Sequence, residues 1–255
     1  MPGSSVVLPP ECGLPANQTP PAMSDNLPQP LTGISSMATR LLLTELLADS
    51  AAQCGQTAQV QAVGGVDAAR RVAAGEAFDL VVLASDAIDK LLASGHLLAG
   101  SRVDLVHSGV AVAVAAGAPP PDIDTEAALR AAVLAAPSIG HSTGPSGTQL
   151  LALFDRWGIT AQLQDRLVQA RAGVPVGSLV ASGDVALGFQ QRSELIGLPG
   201  IRVLGDLPAP VQINTIFSGA VAATSQRPDA TRALLAWLAS PATASAKQRH
   251  GMAAA

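Results

Sequence analysis

The run "FDLVVLAS", residues 78–85, constrains the fold of this 255-residue chain more than any other feature. After Asp79 it is continuously apolar, which is typical of a parallel strand buried on both faces. Helix-like segments flank it, "VDAARRVAAGEA" before and "DAIDKLLASGHL" after. This alternation of strand and helix predicts an α/β fold with helices packed on a mostly parallel sheet.

The second half of the chain repeats the alternation with "SIGHS", "GPSGTQLLALFDRWGI" and "DVALGFQQ". Two longer strand-like runs, at 108–116 and 211–222, separate this half from the rest. They predict two lobes, each a mostly parallel sheet flanked by helices, joined by two crossover strands. Lobe one is expected to comprise residues 28–107 plus 212–255, and lobe two residues 108–211.

Composition excludes several classes of protein. The chain is 48% hydrophobic and 13% charged, so it can bury a large core, and a net charge of −4 without a Lys/Arg cluster argues against nucleic acid as a partner. No apolar stretch is long enough for a transmembrane helix. Cys12 and Cys54 lack the spacing of a thiolate metal site, so neither a metal nor a cofactor is predicted.

Residues 1–27 are rich in proline and lack apolar periodicity, which predicts a disordered, dispensable tail. The tail has neither the basic residues nor the apolar core of a secretory signal, so the sequence as it stands predicts a cytoplasmic protein. Met23 is a candidate alternative start. If the start is misassigned, a signal peptide is hidden and the protein is periplasmic.

Two turns share one design. "GISSMAT" (33–39) and "STGPSGT" (142–148) place Ser, Thr and Gly where a strand passes into a helix. The free N–H groups of a helix N-terminus, together with such hydroxyls, can hold an anion without Lys or Arg. The alternative is ordinary helix capping by Ser and Thr. The candidate ligand-binding residues in these turns are Ser35, Ser36, Ser142, Thr143, Ser146 and Gly147.

The order of these motifs resembles the type II periplasmic-binding-protein superfamily, most closely the molybdate-binding proteins of ABC transporters and their relatives. The resemblance covers residues 28 to 252 and is carried by "SSMATRLLLTELL", "VGGVDAARRVAAGEAFDLVVLAS", "SRVDLVHSGVAVAV" and "SIGHSTGPSG". It implies two α/β lobes with a small anion held in the cleft between them.

The resemblance also implies site residues. It assigns the first-loop serine to Ser35 or Ser36 and the second-lobe anion loop to residues 142–147. Gly64 and Gly65 are further candidates for contact with the ligand, and they stand where the molybdate proteins often carry two serines. The late tyrosine of those proteins is missing because the chain has no Tyr. These departures weaken a molybdate assignment and leave a small anion as the predicted ligand.

The segments "SRVDL", "GAPPPDI" and "LGFQQRSELIGLPGI" resemble an aconitate isomerase branch of these relatives. An isomerase that shifts an allylic proton needs a group that removes the proton and one that returns it. The candidates for proton transfer are His141 and Glu194, with His107 as a third. The alternatives are a hydrogen-bonded structural histidine at His141, no chemical role for His107, and a capping or solvent-facing carboxylate at Glu194. The candidates for contact with the ligand at the end of the strand are Gln190, Gln191 and Arg192.

Two functions therefore remain open, of which the first is the primary prediction and the second the alternative. The first is a binding protein for a small anion, an oxyanion or a di- or tricarboxylate, with an ABC transporter permease as partner if the protein is exported. The second is an isomerase of a small unsaturated tricarboxylate on the same scaffold. The fold does not choose between them, because function belongs to sites.

Overall fold

The computed structural model describes residues 29–255. The predicted tail, residues 1–27, lies outside the described residues. Within residues 29–255 none of the helices combines the length and the apolar character that a bilayer-spanning helix needs.

Lobe one is built by the two ends of the described chain. Its first part contains β1 (Leu31–Ser36), α1 (Arg40–Cys54), β2 (Ala58–Val63), α2 (Gly65–Ala73), β3 (Leu80–Ala84) and α3 (Ser85–Ala93). Its second part contains β9 (Asn214–Val221), α9 (Pro228–Ala239), α10 (Ala244–Arg249) and β10 (Met252–Ala254). All five residues of β3 are buried, as the continuous apolar run predicts.

Lobe two is built by the middle of the chain. It contains α4 (Glu126–Ala135), β5 (Ile139–His141), α5 (Pro145–Arg156), α6 (Thr160–Leu163), β6 (Leu167–Gln169), α7 (Val176–Ser182), β7 (Leu187–Gln191), α8 (Arg192–Leu195) and β8 (Ile201–Asp206). The long strand β4 (Val103–Ala115) enters from lobe one. Its first half pairs with β9 and its second half with β7 and β8.

The hydrogen-bonded strand order is β2-β1-β3-β9-β4-β7-β5-β6, so pairing is continuous through β4. The outer strands of each lobe are parallel: β2, β1 and β3 in one, and β6, β5 and β7 in the other. The pairings that β4 and β9 make are antiparallel. Each sheet is therefore mixed, because a strand that crosses between lobes runs against the strands that it joins.

The buried hydrophobic residues form separate clusters in the two lobes. The largest cluster of lobe two is formed entirely by residues between Val110 and Ile213. Two other clusters are formed by residues of 31–106 and 217–252. The predicted α/β fold with two lobes is confirmed, whereas the exact lobe boundaries stay a prediction. The second crossover differs in detail: residues 209–211 form a 3₁₀ turn and β9 begins only at Asn214.

Asp79 ties the start of β3 to the C-terminal part of lobe one. Its carboxylate accepts hydrogen bonds from the Thr32 backbone N–H at 2.9 Å, the Ser225 hydroxyl at 2.7 Å and the Arg227 guanidinium at 2.7 Å. Burial raises the pKa of Asp79, but these three donors outweigh it and hold the pKa below its usual value. A depressed carboxyl pKa stabilises the folded state above the pKa of the unfolded chain, and this contribution is lost as pH falls through the folded value.

Replacing Asp79 by Asn is therefore expected to lower the free energy of unfolding at pH 7 by about 1–3 kcal/mol, because the neutral amide keeps only one accepting oxygen and loses the charge that strengthens these hydrogen bonds. The loss should shrink in acid, because the wild-type carboxylate stabilises the fold progressively less as pH falls below the usual Asp pKa. Urea unfolding of both proteins at pH 7 and at about pH 3, below the usual Asp pKa, measures the difference. An Asp79→Asn deficit that is equal at both pH values would contradict this role of the charge.

Candidate functional site

A cavity of about 530 Å³ lies between the two lobes. It opens at the carboxyl ends of the parallel strands, where ligands bind in α/β sheets of this kind. Of the residues predicted from the sequence, those on its wall are Ser36, Gly64, Gly65, Ser142, Thr143, Ser146, Gln190, Gln191 and Glu194. The structure thus brings both predicted turns to one cavity, although their contact with a ligand stays a prediction.

Helix N-termini of both lobes converge on this cavity. The first residues of α2 and α3 line it from lobe one, and those of α5 line it from lobe two. None of these three helices has a side-chain cap, so their first N–H groups are not satisfied by a Ser, Thr, Asp or Asn side chain; among the described α-helices only α4 is capped in this way, by the Thr125 hydroxyl. The first predicted turn leads into a 3₁₀ turn (Met37–Thr39) and then α1, and neither Ser36 nor Thr39 caps them with its side chain. The Ser and Thr residues of the two predicted turns therefore do not act as helix caps. The uncapped N–H groups and the helix dipoles make the wall attractive to an anion.

Ser36 and Ser35 are adjacent on β1 but lie in different surroundings. Ser36 lines the cavity, is only 7% exposed, and its hydroxyl is buried without a hydrogen-bond partner. Ser35 is fully buried away from this cavity, and its hydroxyl donates to the Ser36 carbonyl oxygen at 3.4 Å. Of the two alternatives, the structure places Ser36 at the cavity. An unpaired buried hydroxyl is costly unless something else satisfies it.

In the second turn the hydroxyls of Ser142 and Ser146 lie 3.1 Å apart. Gly147 does not line the cavity but packs against the turn from behind. A Cβ at Gly147 would come within 1.9 Å of the Ser142 carbonyl oxygen, a distance that no structure tolerates. Gly147 therefore acts by letting the first turn of α5 approach the backbone of the loop. Pro145 occupies the first turn of α5, where its missing N–H leaves no donor unpaired.

Gln190 and Glu194 form a fixed pair on the wall of lobe two. The Gln190 side-chain oxygen accepts from the Val176 backbone N–H at 2.7 Å, and its nitrogen donates to Glu194 Oε2 at 2.6 Å. Because Gln190 is buried and held at both ends, it fixes the orientation of the Glu194 carboxyl.

The acidity of Glu194 differs strongly from that of an ordinary carboxyl. Burial raises the pKa of Glu194 to about 7, and the opposing effects of the Gln190 hydrogen bond and the Arg40 charge do not cancel it. A carboxyl with such a pKa exchanges its proton readily near neutral pH, which is what a general acid or base requires. Arg40 itself, the first residue of α1, does not line this cavity.

Gln191 connects the cavity with both strands that cross between the lobes. In the orientation that satisfies its amide, the oxygen accepts from the Thr215 hydroxyl at 2.7 Å and the nitrogen donates to the Ser108 hydroxyl at 2.8 Å. Ser108 belongs to β4 and Thr215 to β9, and all three residues are buried. Gln191 and Thr215 both line the cavity, so this polar cluster anchors the site to the junction of the lobes.

Three candidates lie away from the cavity wall. His141 is 4% exposed, its Nδ1 lies 3.2 Å from the Ser142 carbonyl oxygen, and burial lowers its pKa despite this hydrogen bond. Its surroundings fit a neutral histidine that supports the loop. His107 lies within β4 opposite Ile216 and Ala253. Arg192 forms an ion pair with Asp206 at 3.0 Å.

The cavity wall also contains three basic residues that were not predicted from the sequence. Arg171 follows β6 and lines the cavity, as do Arg70 and Lys90 of lobe one. In the sequence Arg171 is an isolated charge in "QARAG", with no Ser/Thr/Gly turn to mark it. Within residues 29–255 no three His, Cys, Asp or Glu side chains are grouped closely enough to hold a metal ion.

Two α/β lobes with helix N-termini around a central cavity are the architecture of solute-binding proteins. The model of one family, described as bacterial extracellular solute-binding protein, matches residues 31–253. The chain belongs to this family.

Individual relatives are of two kinds. A Pseudomonas sp. protein named aconitate isomerase is 42% identical over 185 residues, which are 71% of this chain and 70% of that protein. The periplasmic molybdate-binding protein of Azotobacter vinelandii has a similar fold, with a TM-score of 0.72 at 20% identity over 87% of this chain and 98% of that one. A sulfate-binding protein of Mycobacterium tuberculosis gives a TM-score of 0.70 at 17% identity, covering 87% and 85% of the two chains.

Proposed function

We propose that this protein binds a small unsaturated tricarboxylate in the cavity between its lobes and isomerises it by moving one allylic proton. One observation carries the proposal: Glu194, with a pKa raised to about 7, lines the same cavity as the uncapped helix N-termini. Anion-binding groups alone describe a receptor. A carboxyl that exchanges protons near neutral pH adds the group that such an isomerisation needs.

The proposed reaction is a proton shift without oxidation or reduction. The ionised Glu194 carboxylate removes a proton from the methylene carbon next to the double bond. The electron pair spreads over the allylic carbons into the adjacent carboxylate, and the double bond moves by one position. The protonated Glu194 then returns the proton to the other end of the allylic system, so that atoms and charge balance. Gln190 holds the carboxyl in place throughout through its hydrogen bond of 2.6 Å.

The neutral donors on the wall serve the charged groups of the substrate. Ser36 in lobe one, and Ser142 and Ser146 with the N-terminus of α5 in lobe two, offer hydroxyl and N–H donors to carboxylates. They also stabilise the negative charge that develops on a carboxylate oxygen when the proton is removed. The 42% identity to the aconitate isomerase supports cis- and trans-aconitate as the first substrates to test.

The second candidate is a receptor that binds a small oxyanion without chemistry. The wall of neutral hydroxyls and N–H groups around Ser36 and Ser142 favours it, since such donors suit molybdate or sulfate as well as carboxylates. In that case an ABC transporter permease is the expected partner.

One pair of measurements separates the two candidates. Interconversion of cis- and trans-aconitate is followed by NMR with purified protein, alongside a thermal-shift series with aconitate, citrate, molybdate, tungstate and sulfate. The isomerase proposal expects turnover and stabilisation by the tricarboxylates. Stabilisation by molybdate, tungstate or sulfate without turnover of aconitate would instead establish the receptor.

The unpaired hydroxyl of Ser36 gives a further prediction. Ser36→Ala is expected to leave the melting temperature of the free protein unchanged or raised, because a buried unsatisfied hydroxyl is removed. The affinity for citrate should fall about tenfold, which corresponds to the loss of one hydrogen bond to a charged group. Differential scanning fluorimetry with and without citrate measures both effects.

Ser50 supplies the matched control, because its hydroxyl is also buried and unpaired but lies on α1 outside the cavity wall. Ser50→Ala should change the melting temperature of the free protein in the same direction and leave citrate affinity as in wild type. Equal citrate affinity in wild type and Ser36→Ala would remove Ser36 from the binding site.

A further inference from the structure

Arg171 lies beside the anion loop of lobe two. It comes two residues after the end of β6, which pairs in parallel with β5. The backbone N–H of Ala170 donates to the His141 carbonyl oxygen at 2.9 Å, so the two strands end side by side. The chain therefore leaves the sheet at Arg171 next to the point where it leaves at Ser142, and both residues line the cavity.

Among the cations on the cavity wall, Arg171 has a distinct environment. Arg70 is hydrogen-bonded to Asp67, and Lys90 Nζ lies 3.8 Å from Asp86. Arg171 is exposed, and its guanidinium makes neither a hydrogen bond nor an ion pair with any part of the chain from 29 to 255. Of the three cations on this wall, Arg171 is thus the one whose positive charge is not offset by a neighbouring acid within the described residues.

The charge balance of the cavity shows what Arg171 contributes. The ionisable side chains on the wall are three bases and three acids, Arg70, Lys90, Arg171, Asp67, Asp86 and Glu194. They cancel when Glu194 is ionised. Without Arg171 the wall would carry a net negative charge, which repels a trianion.

We infer that Arg171 is the specificity-determining residue that selects a tricarboxylate over a dicarboxylate, by placing a positive charge against the third carboxylate. This inference rests on the proposed function. The N-termini of α2, α3 and α5 supply neutral donors, whereas the third carboxylate of a trianion adds a full negative charge. Arg171 is a wall cation that no neighbouring acid offsets, and its planar guanidinium matches carboxylate geometry through two parallel hydrogen bonds.

Calorimetric titration with two unreactive acids tests the assignment. Tricarballylate carries three carboxylates and no double bond, and glutarate has the same chain without the middle carboxylate. For Arg171→Gln, the affinity for tricarballylate should fall about tenfold or more while that for glutarate stays near the wild-type value. Arg171→Lys should recover part of the lost affinity, since lysine restores the positive charge but not the two parallel hydrogen bonds of a guanidinium.

Arg156→Gln is the matched control, because Arg156 is an exposed arginine at the end of α5 outside the cavity wall. It should bind both acids as wild type does. If wild type prefers tricarballylate and Arg171→Gln keeps that preference, Arg171 does not select the third carboxylate, and the proposed function still stands. Equal affinity of wild type for the two acids also refutes the selection, and binding of neither acid refutes the proposed function with it.

Discussion

Replacing Glu194 by Gln is expected to lower kcat for the interconversion of cis- and trans-aconitate by about 10²–10⁴-fold, the usual contribution of a general acid or base. Gln keeps the shape of the side chain, and its amide oxygen can still accept the hydrogen bond from Gln190. Citrate affinity should therefore persist, which separates a lost proton carrier from a damaged site. Steady-state kinetics and a citrate titration of the same preparation measure both quantities.

The pH dependence of the isomerase activity of the wild-type protein should report the ionisation of Glu194. The base is the ionised carboxylate, and burial raises the pKa of Glu194 to about 7. The value of kcat/KM, which reports ionisations of the free enzyme, should therefore rise with pH and level off above about 7.

Glu76→Gln is a suitable control, because Glu76 is exposed and paired with Arg71 outside the cavity wall. Its activity should match wild type over the whole pH range. Full activity of Glu194→Gln would exclude Glu194 as the proton carrier, and the turnover would then have to depend on another group.

Replacing Gly147 by Ala should have the second largest effect. The added methyl group would lie 1.9 Å from the Ser142 carbonyl oxygen, so α5 and the anion loop must move apart. Overpacking of this kind costs about 1–3 kcal/mol, which lowers the melting temperature by roughly 2–10 °C in a protein of this size. The displaced loop should also lose about two charge-assisted hydrogen bonds to the ligand, which corresponds to a hundredfold or larger loss of citrate affinity.

Gly117→Ala is the matched control, since a Cβ at Gly117 would meet no atom within 4 Å. Melting curves and citrate titrations of both variants, with circular dichroism to confirm the fold, measure the effect. A Gly147→Ala protein with wild-type stability and citrate affinity would show that the close approach of loop and helix is not required.

The sequence predicted those features of the protein that are set by residues close together along the chain. The apolar run at β3 and the alternation of strand and helix predicted the α/β class, because burial on both faces of a sheet requires such a run. The turns around Ser36 and Ser142 could be recognised because glycines and hydroxyls concentrate where a strand passes into a helix. Glu194 came from the resemblance of "LGFQQRSEL" to a known branch of the family.

Only the tertiary structure decided which of these residues meet. Ser35 and Ser36 are neighbouring residues of the same type, so the sequence could not distinguish them. Successive side chains of a strand point to opposite faces, and the position of β1 in the sheet puts Ser36 at the cavity. His141 is next to the anion loop in sequence, yet its side chain is buried away from the cavity wall. Local patterns do not record the direction of a side chain in the finished fold.

The acidity of Glu194 and the place of Arg171 likewise depend on the fold. The pKa of Glu194 is raised by burial among residues distant in the chain, and Arg171 reaches the cavity because β6 pairs with β5. The sequence by itself determined the class of fold and the chemistry available in its turns. The tertiary structure decided the electrostatic surroundings of each group, because burial and charge proximity arise only when distant segments pack together.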